Sequence, residues 1–90
     1  MLVERFTFKA KPQCEEKLAA FYKEGIKPER VYISRTGLRN RVALEMEFES
    51  FDERRKFWAA WDARPGLAAH FQRFSELAEN EIYSELWLLQ

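Results

Sequence analysis

Four stretches of the chain alternate apolar and polar residues with the period of two that is typical of half-buried β-strands. The clearest is residues 41–49, and its apolar side carries Val42, Leu44, Met46 and Phe48. In residues 2–9 a glutamate, Glu4, interrupts the face that holds Leu2 and the phenylalanines. The pattern therefore predicts strands over residues 2–9, 30–35, 41–49 and 81–89.

The first helix is predicted over residues 13–25, where apolar residues recur at helical spacing. Its stripe consists of Cys14, Leu18, Phe21 and Tyr22. Pro12 suits a first turn, because the missing N–H of proline would have no partner there. Gly25 is expected to end the helix, and Pro28 prevents its continuation.

A second helical region follows the third strand and contains a break. Ser50 and Glu53 have the spacing of a capping box, which predicts a helix start at this point. We expect Pro65 to break the helix, because proline lacks the N–H that a helix interior requires. Gly66 follows the break, and a further helical segment holds the only histidine, His70.

The predicted order β-α-β-β-α-β is the ferredoxin-like plan, an α+β fold in one domain over residues 1–90. Its antiparallel four-stranded sheet would carry the helices on one face. The open face would mix charges with large rings, which favours an interface over a solvated surface. We therefore predict a homodimer through the sheet face. That face carries Val3, Arg5, Thr7, Glu45, Glu47, Tyr83, Glu85 and Trp87.

Composition excludes several functional classes. Fifteen basic and fifteen acidic residues give zero net charge, without the basic run expected of a nucleic-acid-binding protein. No apolar run approaches the roughly 20 residues that span a bilayer, and the start, Met1-Leu2-Val3-Glu4, is not that of a signal peptide. We expect a soluble, cytoplasmic protein that binds neither nucleic acid nor membrane.

Cysteine and histidine content limits the available chemistry. Cys14 is the only cysteine and His70 the only histidine, so standard cysteine and histidine metal sites are excluded. We expect Cys14 to be a buried, unreactive thiol on the first helix. The three glycines are scattered, so no phosphate-binding loop is predicted.

Aromatic residues are unusually frequent, with eight Phe, three Tyr and three Trp in 90 residues. This number favours an aromatic interface or an aromatic-lined pocket, although a ring-rich core is the simpler alternative. Trp58 and Trp61 lie three residues apart and point broadly the same way from a helix, as core residues or as the wall of a ligand site. The predicted pocket residues are Trp58, Trp61, Phe71, Tyr83 and Trp87.

Three residues are weak candidates for catalysis. A histidine side chain can act as a general base near neutral pH, but a structural role of His70 at a helix flank is the simpler explanation. Glu45 and Glu47 would act as acid or base at a cavity if burial raised a pKa. The alternative is a row of paired charges, and its expected partners are Arg5, Arg35 and Arg41.

The passage over residues 46–71 resembles NIPSNAP-like proteins of the dimeric α/β-barrel superfamily. The resemblance rests on the predicted topology and on matching positions along this passage. Arg64 and Gly66 depart from the family pattern beside the proline. The resemblance implies a dimeric barrel and a small-molecule cavity, without a defined activity. The matching positions are Phe48-Glu49-Ser50, Phe57-Trp58, Trp61-Asp62 and Pro65.

The same superfamily includes cofactor-independent monooxygenases and haem-degrading monooxygenases. Trp61 and His70 resemble the tryptophan and the iron-binding histidine of the haem-degrading enzymes in order and spacing. Those enzymes also carry an asparagine on the first strand, where this chain reads Val3-Glu4-Arg5-Phe6. The resemblance thus makes haem bound through His70 an alternative to the expectation of no cofactor.

These observations predict a homodimeric barrel protein that binds a small hydrophobic or aromatic molecule. Whether it is an enzyme stays open at this point. One alternative is a monooxygenase in which the electron-rich ring of the substrate activates oxygen and the protein supplies a base and a dry pocket. The other is a non-enzymatic interaction module, which would follow if the aromatic rings filled all the space between helices and sheet.

Overall fold

The computed structural model describes all of residues 1–90, which form a single antiparallel sheet and three helices. The strand order is β2-β3-β1-β4, with both crossover connections made by helical segments. The predicted ferredoxin-like α+β fold is therefore confirmed. Its elements are β1 (Leu2–Ala10), α1 (Glu15–Gly25), β2 (Arg30–Ile33), β3 (Arg41–Phe48), α2 (Phe51–Asp62), α3 (Leu67–Leu77) and β4 (Ala78–Leu88).

The core lies between the helices and one face of the central strands. In the register of β1 with β3, Leu2 pairs with Phe48 and Phe8 with Val42, so the apolar sides of both strands face the helices. Leu18 and Leu77, from α1 and α3, are among the most completely buried side chains. The period-two pattern thus identified the buried face of both central strands correctly.

The last strand is longer than the sequence predicted. β4 begins at Ala78, directly after the last residue of α3, instead of near residue 81. Ala78 pairs with Ala10 beyond an irregularity in the register after Phe8. This long-range pairing extends the strand through Glu79 and Asn80, two residues with low intrinsic strand propensity.

The start of α1 differs from the prediction, whereas its end at Gly25 agrees with it. The helix begins at Glu15, so Cys14 is the N-cap residue, half-buried rather than a member of the helical stripe. Gly25 lies within the last turn of α1, and the residue with left-handed backbone is Lys27, at a φ of 53°. The N–H of Lys27 donates to the carbonyl of Tyr22, which satisfies a terminal helix carbonyl.

The second helical region consists of two helices. The Oγ of Ser50 accepts a hydrogen bond of 3.1 Å from the N–H of Glu53, as the capping pattern predicted. α2 ends at Asp62 and α3 begins at Leu67, with Pro65 between them. Gly66 has a φ of 83°, a left-handed conformation that glycine adopts without steric cost.

β4 is an edge strand that the helices leave uncovered. Ile82 and Leu88 on its helix side are at least half exposed, as are Tyr83 and Trp87 on the opposite side. The apolar surface of the molecule is therefore concentrated on this strand. None of the three helices combines the length and the apolar character that a membrane crossing requires.

Candidate functional site

A cavity of about 420 Å³ lies between the helices and the β1–β4 side of the sheet. Fifteen residues line it, and ten of them are hydrophobic. Phe6 and Phe8 of β1 form part of the wall, and Ile82 and Ser84 of β4 lie on the uncovered side. The volume falls within the range of small-molecule sites, which is roughly 300–1,000 Å³.

One face of α2 and one face of α3 supply the helical walls. Arg54, Trp58 and Trp61 lie at i, i+4 and i+7 along α2, so that they project from one side of the helix. His70 and Phe74 do the same along α3, one turn apart. The two helices present these faces to the same space because the segment of residues 63–66 turns the chain between them.

Aromatic rings line this space instead of filling it. Trp58 packs edge-on against Phe6, with 5.5 Å between ring centroids, and Trp61 stands nearly perpendicular to Trp58 at 6.4 Å. Edge-to-face pairs of this kind are favoured by the ring quadrupoles. Of the predicted pocket residues, Trp58, Trp61 and Phe71 line the cavity.

Glu4 places a buried carboxylate at the cavity wall. Its residue surface is only 4% exposed, and both carboxylate oxygens accept hydrogen bonds from α2. Arg54 donates through Nε at 3.2 Å and through Nη2 at 2.6 Å, and the indole Nε1 of Trp58 donates at 2.7 Å. A buried charge requires such partners, since an unpaired carboxylate in this position would be strongly destabilising.

Sequence reasoning did not identify this ion pair. Glu4 was visible only as an interruption of an apolar strand face, and Arg54 only as a polar residue of a capped helix. The signal that could have found the pair is the physical requirement that a charge on a core-facing strand position has a partner of opposite charge.

His70 is surrounded by aromatic rings. Its imidazole stacks on Phe21 with 4.7 Å between ring centroids, and it stands perpendicular to the ring of Trp61 with 4.9 Å between centroids. Burial lowers the pKa of His70, and the nearby positive charge of Arg64 lowers this pKa further. The imidazole is therefore mainly neutral at neutral pH, able to accept a proton or a hydrogen bond.

The guanidinium of Arg64 covers the outer side of Trp61. Its Cζ lies 4.1 Å from the centre of the indole ring, in the range of a cation–π contact. Arg64 is one of the two residues beside Pro65 at which the sequence departs from the NIPSNAP-like pattern. The same side chain supplies the positive charge that lowers the pKa of His70.

A second carboxylate is buried on the opposite face of the sheet. Glu45 accepts hydrogen bonds from Arg5 Nε at 2.9 Å, Arg30 Nε at 2.7 Å and the Tyr32 hydroxyl at 2.9 Å. The hydrogen bond from Arg30 is the main reason why the pKa of Glu45 is lowered to about 2, even though burial acts in the other direction. The structure therefore agrees with the predicted alternative of paired charges for Glu45, which stays ionised and does not act as a proton donor near neutral pH.

The arginine partners of this face differ from those predicted. Arg30 bridges Glu45 and Glu47, with its Nη2 2.7 Å from a Glu47 carboxylate oxygen. Of the predicted partners, Arg5 does pair with Glu45, whereas Arg41 approaches Glu81 at 3.8 Å. The short strand β2 brings Arg30 opposite Glu45, a pairing that depends on the strand register.

The remaining predicted pocket residues lie on this open face. Tyr83 pairs with Thr7 and Trp87 with Val3 across the β1–β4 ladder, and both rings are more than half exposed. They face away from the cavity, so the five predicted residues do not line one site. Trp58, Trp61 and Phe71 belong to the cavity, and Tyr83 and Trp87 to the exposed sheet surface.

The cavity carries only part of the residue set that the resemblance implies for haem, since Trp61 and His70 line it but no asparagine does. Where the haem-degrading enzymes have an asparagine on the first strand, Glu4 occupies the wall with both oxygens engaged by α2. The imidazole of His70 is stacked on Phe21 and stands nearly perpendicular to the ring of Phe71. The side chains that contact His70 are thus aromatic rings, and the polar residue that the resemblance implies as a partner of bound oxygen is missing.

Comparison with known proteins gives matches among solved structures only. No protein-family model and no curated protein matches the chain. An uncharacterized NIPSNAP domain protein from Burkholderia xenovorans superimposes with a TM-score of 0.86 at 17% identity, covering 100% of this chain and 95% of that one. A NIPSNAP family protein from Agrobacterium tumefaciens gives a TM-score of 0.82 at 15% identity, covering 99% and 92% of the two chains.

A more distant match is a candidate antibiotic biosynthesis monooxygenase from Deinococcus radiodurans. Its TM-score is 0.56 at 10% identity, covering 100% of this chain and 93% of that one. Identities this low establish a common fold and no common activity. The chain therefore has the ferredoxin-like fold of the NIPSNAP-domain proteins, in agreement with the resemblance in its sequence.

Proposed function

We propose that this protein binds a small aromatic molecule in the cavity between its helices and its sheet. The observation that carries the proposal is the aromatic lining of a space of about 420 Å³ that no side chain fills. When an aromatic ring displaces water from an apolar space of this kind, the free energy of the system falls, which favours binding. Polar groups at its wall, Glu4 with Arg54 and the imidazole of His70, would orient such a ligand.

Native mass spectrometry of the purified protein tests the proposal first, and a bound small molecule is the expected result. Titration with 2-ethylnaphthalene, followed by NMR, tests it second. The indole N–H resonances of Trp58 and Trp61 should then shift in a saturable manner. Ser84→Phe should abolish these shifts, because Ser84 lines the cavity from the exposed strand. Leu86→Phe is the matched control, since Leu86 lies on the same face of β4 outside the cavity wall.

The opposite results would favour the interaction module. A protein that is purified empty, and whose indole resonances do not respond to the probe, would contradict ligand binding. Equal effects of Ser84→Phe and Leu86→Phe would place the bound probe elsewhere, on the exposed apolar surface of β4.

A second candidate function is cofactor-independent oxygenation of the bound ring, favoured by the neutral imidazole of His70 at the cavity. His70 would remove a proton from an acidic C–H or O–H of the substrate, and the resulting carbanion or phenolate would reduce oxygen. One oxygen atom would become a carbonyl of the product and the other would leave as water. All four electrons would come from the substrate and its C–H bonds.

Oxygen consumption with anthrone as probe tests this second function. We expect anthraquinone to form at a rate that falls roughly 100-fold or more in His70→Phe, in line with the usual contribution of a general base. The rate should also fall as the pH drops through the lowered pKa of His70. A rate equal to that in buffer would contradict oxygenation and leave ligand binding intact.

We also propose that two copies associate through the open sheet face. Tyr83 and Trp87 expose 56% and 55% of their surface there, beside the ion pairs of Glu45. Rings on a flat sheet face are costly to leave in water, and a chain of 90 residues gains from a shared interface. The helix-side cavity lies on the opposite side of the sheet, so association would leave it accessible.

A further inference from the structure

Arg54 presents hydrogen-bond donors that its ion pair does not use. Its Nε and Nη2 are engaged by the Glu4 carboxylate, and these are its only hydrogen bonds to the chain. The guanidinium carries five N–H groups in one plane, so the two on Nη1 and a second on Nη2 are unused. One third of the Arg54 side chain is exposed, and the residue lines the cavity.

Glu4 holds this guanidinium in a fixed orientation. The two contacts run side by side, and the carboxylate is itself anchored by the indole of Trp58 at 2.7 Å. A planar donor fixed in this way loses little conformational entropy when it binds an acceptor. A ligand oxygen at the cavity wall would therefore gain a preorganised partner in Arg54.

The charges around the cavity do not favour an anion. The positive charge of Arg54 is already balanced by Glu4, and Asp62 adds a second carboxylate to the lining. Arg64, which covers Trp61, adds a second positive charge, so that the two carboxylates and the two guanidinium groups sum to zero. A carboxylate ligand would lose its hydration here without meeting an excess of positive charge.

A neutral acceptor satisfies these conditions better. The rings of Phe6, Trp58 and Trp61 stand at steep angles to one another, and their faces and edges offer contacts to a flat apolar body. The only charge-assisted donors among the cavity-lining residues are the spare N–H groups of Arg54, since His70 is mainly neutral and no lysine lines the space. A carbonyl group accepts such a hydrogen bond without bringing a charge into the cavity.

We propose that the cavity is specific for an uncharged aromatic ligand that carries a carbonyl oxygen, and that Arg54 is the residue that binds this oxygen. The inference rests on the proposed function, and it adds the chemical class of the ligand and the residue that selects it. Binding of the aromatic body depends on the rings of the cavity. Selection of the carbonyl depends on Arg54, held in place by Glu4.

Three probes of nearly equal size separate these contributions: 2-acetylnaphthalene, 2-naphthoate and 2-ethylnaphthalene. Isothermal titration calorimetry of the intact protein should give a dissociation constant for the ketone about tenfold lower than for either other probe, as expected for one hydrogen bond to a charged donor. The Trp58 indole resonance should shift with all probes that bind, since its ring lines the cavity.

Glu4→Gln combined with Arg54→Met removes the donor without leaving a buried charge. In this double variant the ketone should bind no more tightly than 2-ethylnaphthalene, so that the roughly tenfold preference for the ketone is lost. Arg55→Met is the matched control on α2, because Arg55 is exposed and pairs with Asp52 away from the cavity. It should retain the full preference for the ketone.

The outcomes distinguish the two proposals. Equal binding of the ketone and the hydrocarbon, or tightest binding of 2-naphthoate, would overturn the selection by Arg54 and leave aromatic binding in place. Unchanged preference in the double variant would also overturn it. Failure of all three probes to bind would overturn the proposed function, and the inference with it.

Discussion

Two glutamates are buried on opposite faces of the same sheet, and arginines neutralise both. Glu4 faces the helices and is paired with Arg54, and Glu45 faces the open side and is paired with Arg5 and Arg30. Pairing of this kind offsets the desolvation of the carboxylates, and removal of one partner leaves an uncompensated buried charge. The stability of the chain should therefore depend on these residues as pairs.

The pair of Glu4 and Arg54 can be tested by a double-mutant cycle. Arg54→Met alone should lower the free energy of unfolding by about 3 kcal/mol, because the Glu4 carboxylate stays buried without a cation. The double variant with Glu4→Gln should recover most of this loss, since the new side-chain amide would keep an acceptor for Trp58 and carry no charge. Urea unfolding monitored by tryptophan fluorescence measures both values. Equal losses in the single and the double variant would contradict the coupling.

The lowered pKa of Glu45 predicts acid sensitivity. The folded pKa of about 2 lies below the ordinary value of 4.5, so this group stabilises the fold above pH 4.5. Its contribution is lost as the pH falls from 4.5 toward 2, because the unfolded chain takes up the proton first. Thermal unfolding across this window should show a falling Tm that is flatter in Glu45→Gln.

The exposed Glu76→Gln is the control for this pH dependence. Glu76 pairs only with Arg73 on the surface of α3, so its replacement leaves the Glu45 network intact. The control should keep the slope of the original protein between pH 4.5 and pH 2. A slope that Glu45→Gln does not change would assign the acid sensitivity to other groups.

Among the helices and strands, the break between α2 and α3 does most to shape the site. It allows one face of each helix to line the same cavity, with Trp61 before the break and His70 after it. The break depends on backbone conformations that a continuous helix does not adopt. Pro65 removes a donor, and Gly66 takes a φ of 83°.

A pair of glycine substitutions tests the backbone requirement at this break. A Cβ at Gly66 or at Gly25 would meet no atom within 4 Å, so any difference arises from the backbone. Gly66→Ala should cost about 1 kcal/mol, because alanine is strained in the left-handed region. Gly25→Ala should stabilise the protein by about 0.5–1 kcal/mol, because Gly25 lies in the last turn of α1. Chemical unfolding of both variants gives the comparison, and equal signs would contradict it.

In the whole molecule, helices cover one side of the sheet and leave the other side and the edge strand uncovered. Large rings at Tyr83 and Trp87 remain exposed on that side, although the chain buries similar rings elsewhere. A surface of this composition is typical of an interface. The proposed association of two copies would cover it.

The proposed dimer makes a direct prediction. Light scattering at micromolar concentration should give twice the chain mass of 10.8 kDa. Trp87→Glu should reduce the mass toward that of one chain, because it places a charge among the rings of the open face. Phe51→Glu is the control, since Phe51 is 65% exposed at the start of α2, away from that face. A monomer at all concentrations would contradict association through the sheet.

The fold was largely predictable, and the site was predictable only in part. The alternation in residues 41–49 and the capping pattern at Ser50 predicted β3 and the start of α2 to within one residue. For the site, the sequence correctly placed Trp58 and Trp61 on one helix face, but it also assigned Trp87 to the same pocket. The strand pattern correctly put Trp87 on the open face of the sheet, but it did not show that the cavity lies on the other face, beside the helices.

The periodicity of apolar residues was enough to assign strands, helices and their order, because each pattern reflects the one-sided burial of a single local segment. The length of β4, the partners of the buried glutamates and the cavity itself depended on contacts between distant segments. Glu4 and Arg54 are 50 residues apart, and Arg30 reaches Glu45 only through the register of β2 with β3. Such contacts follow from how the elements pack together, and local sequence patterns carry no record of that packing.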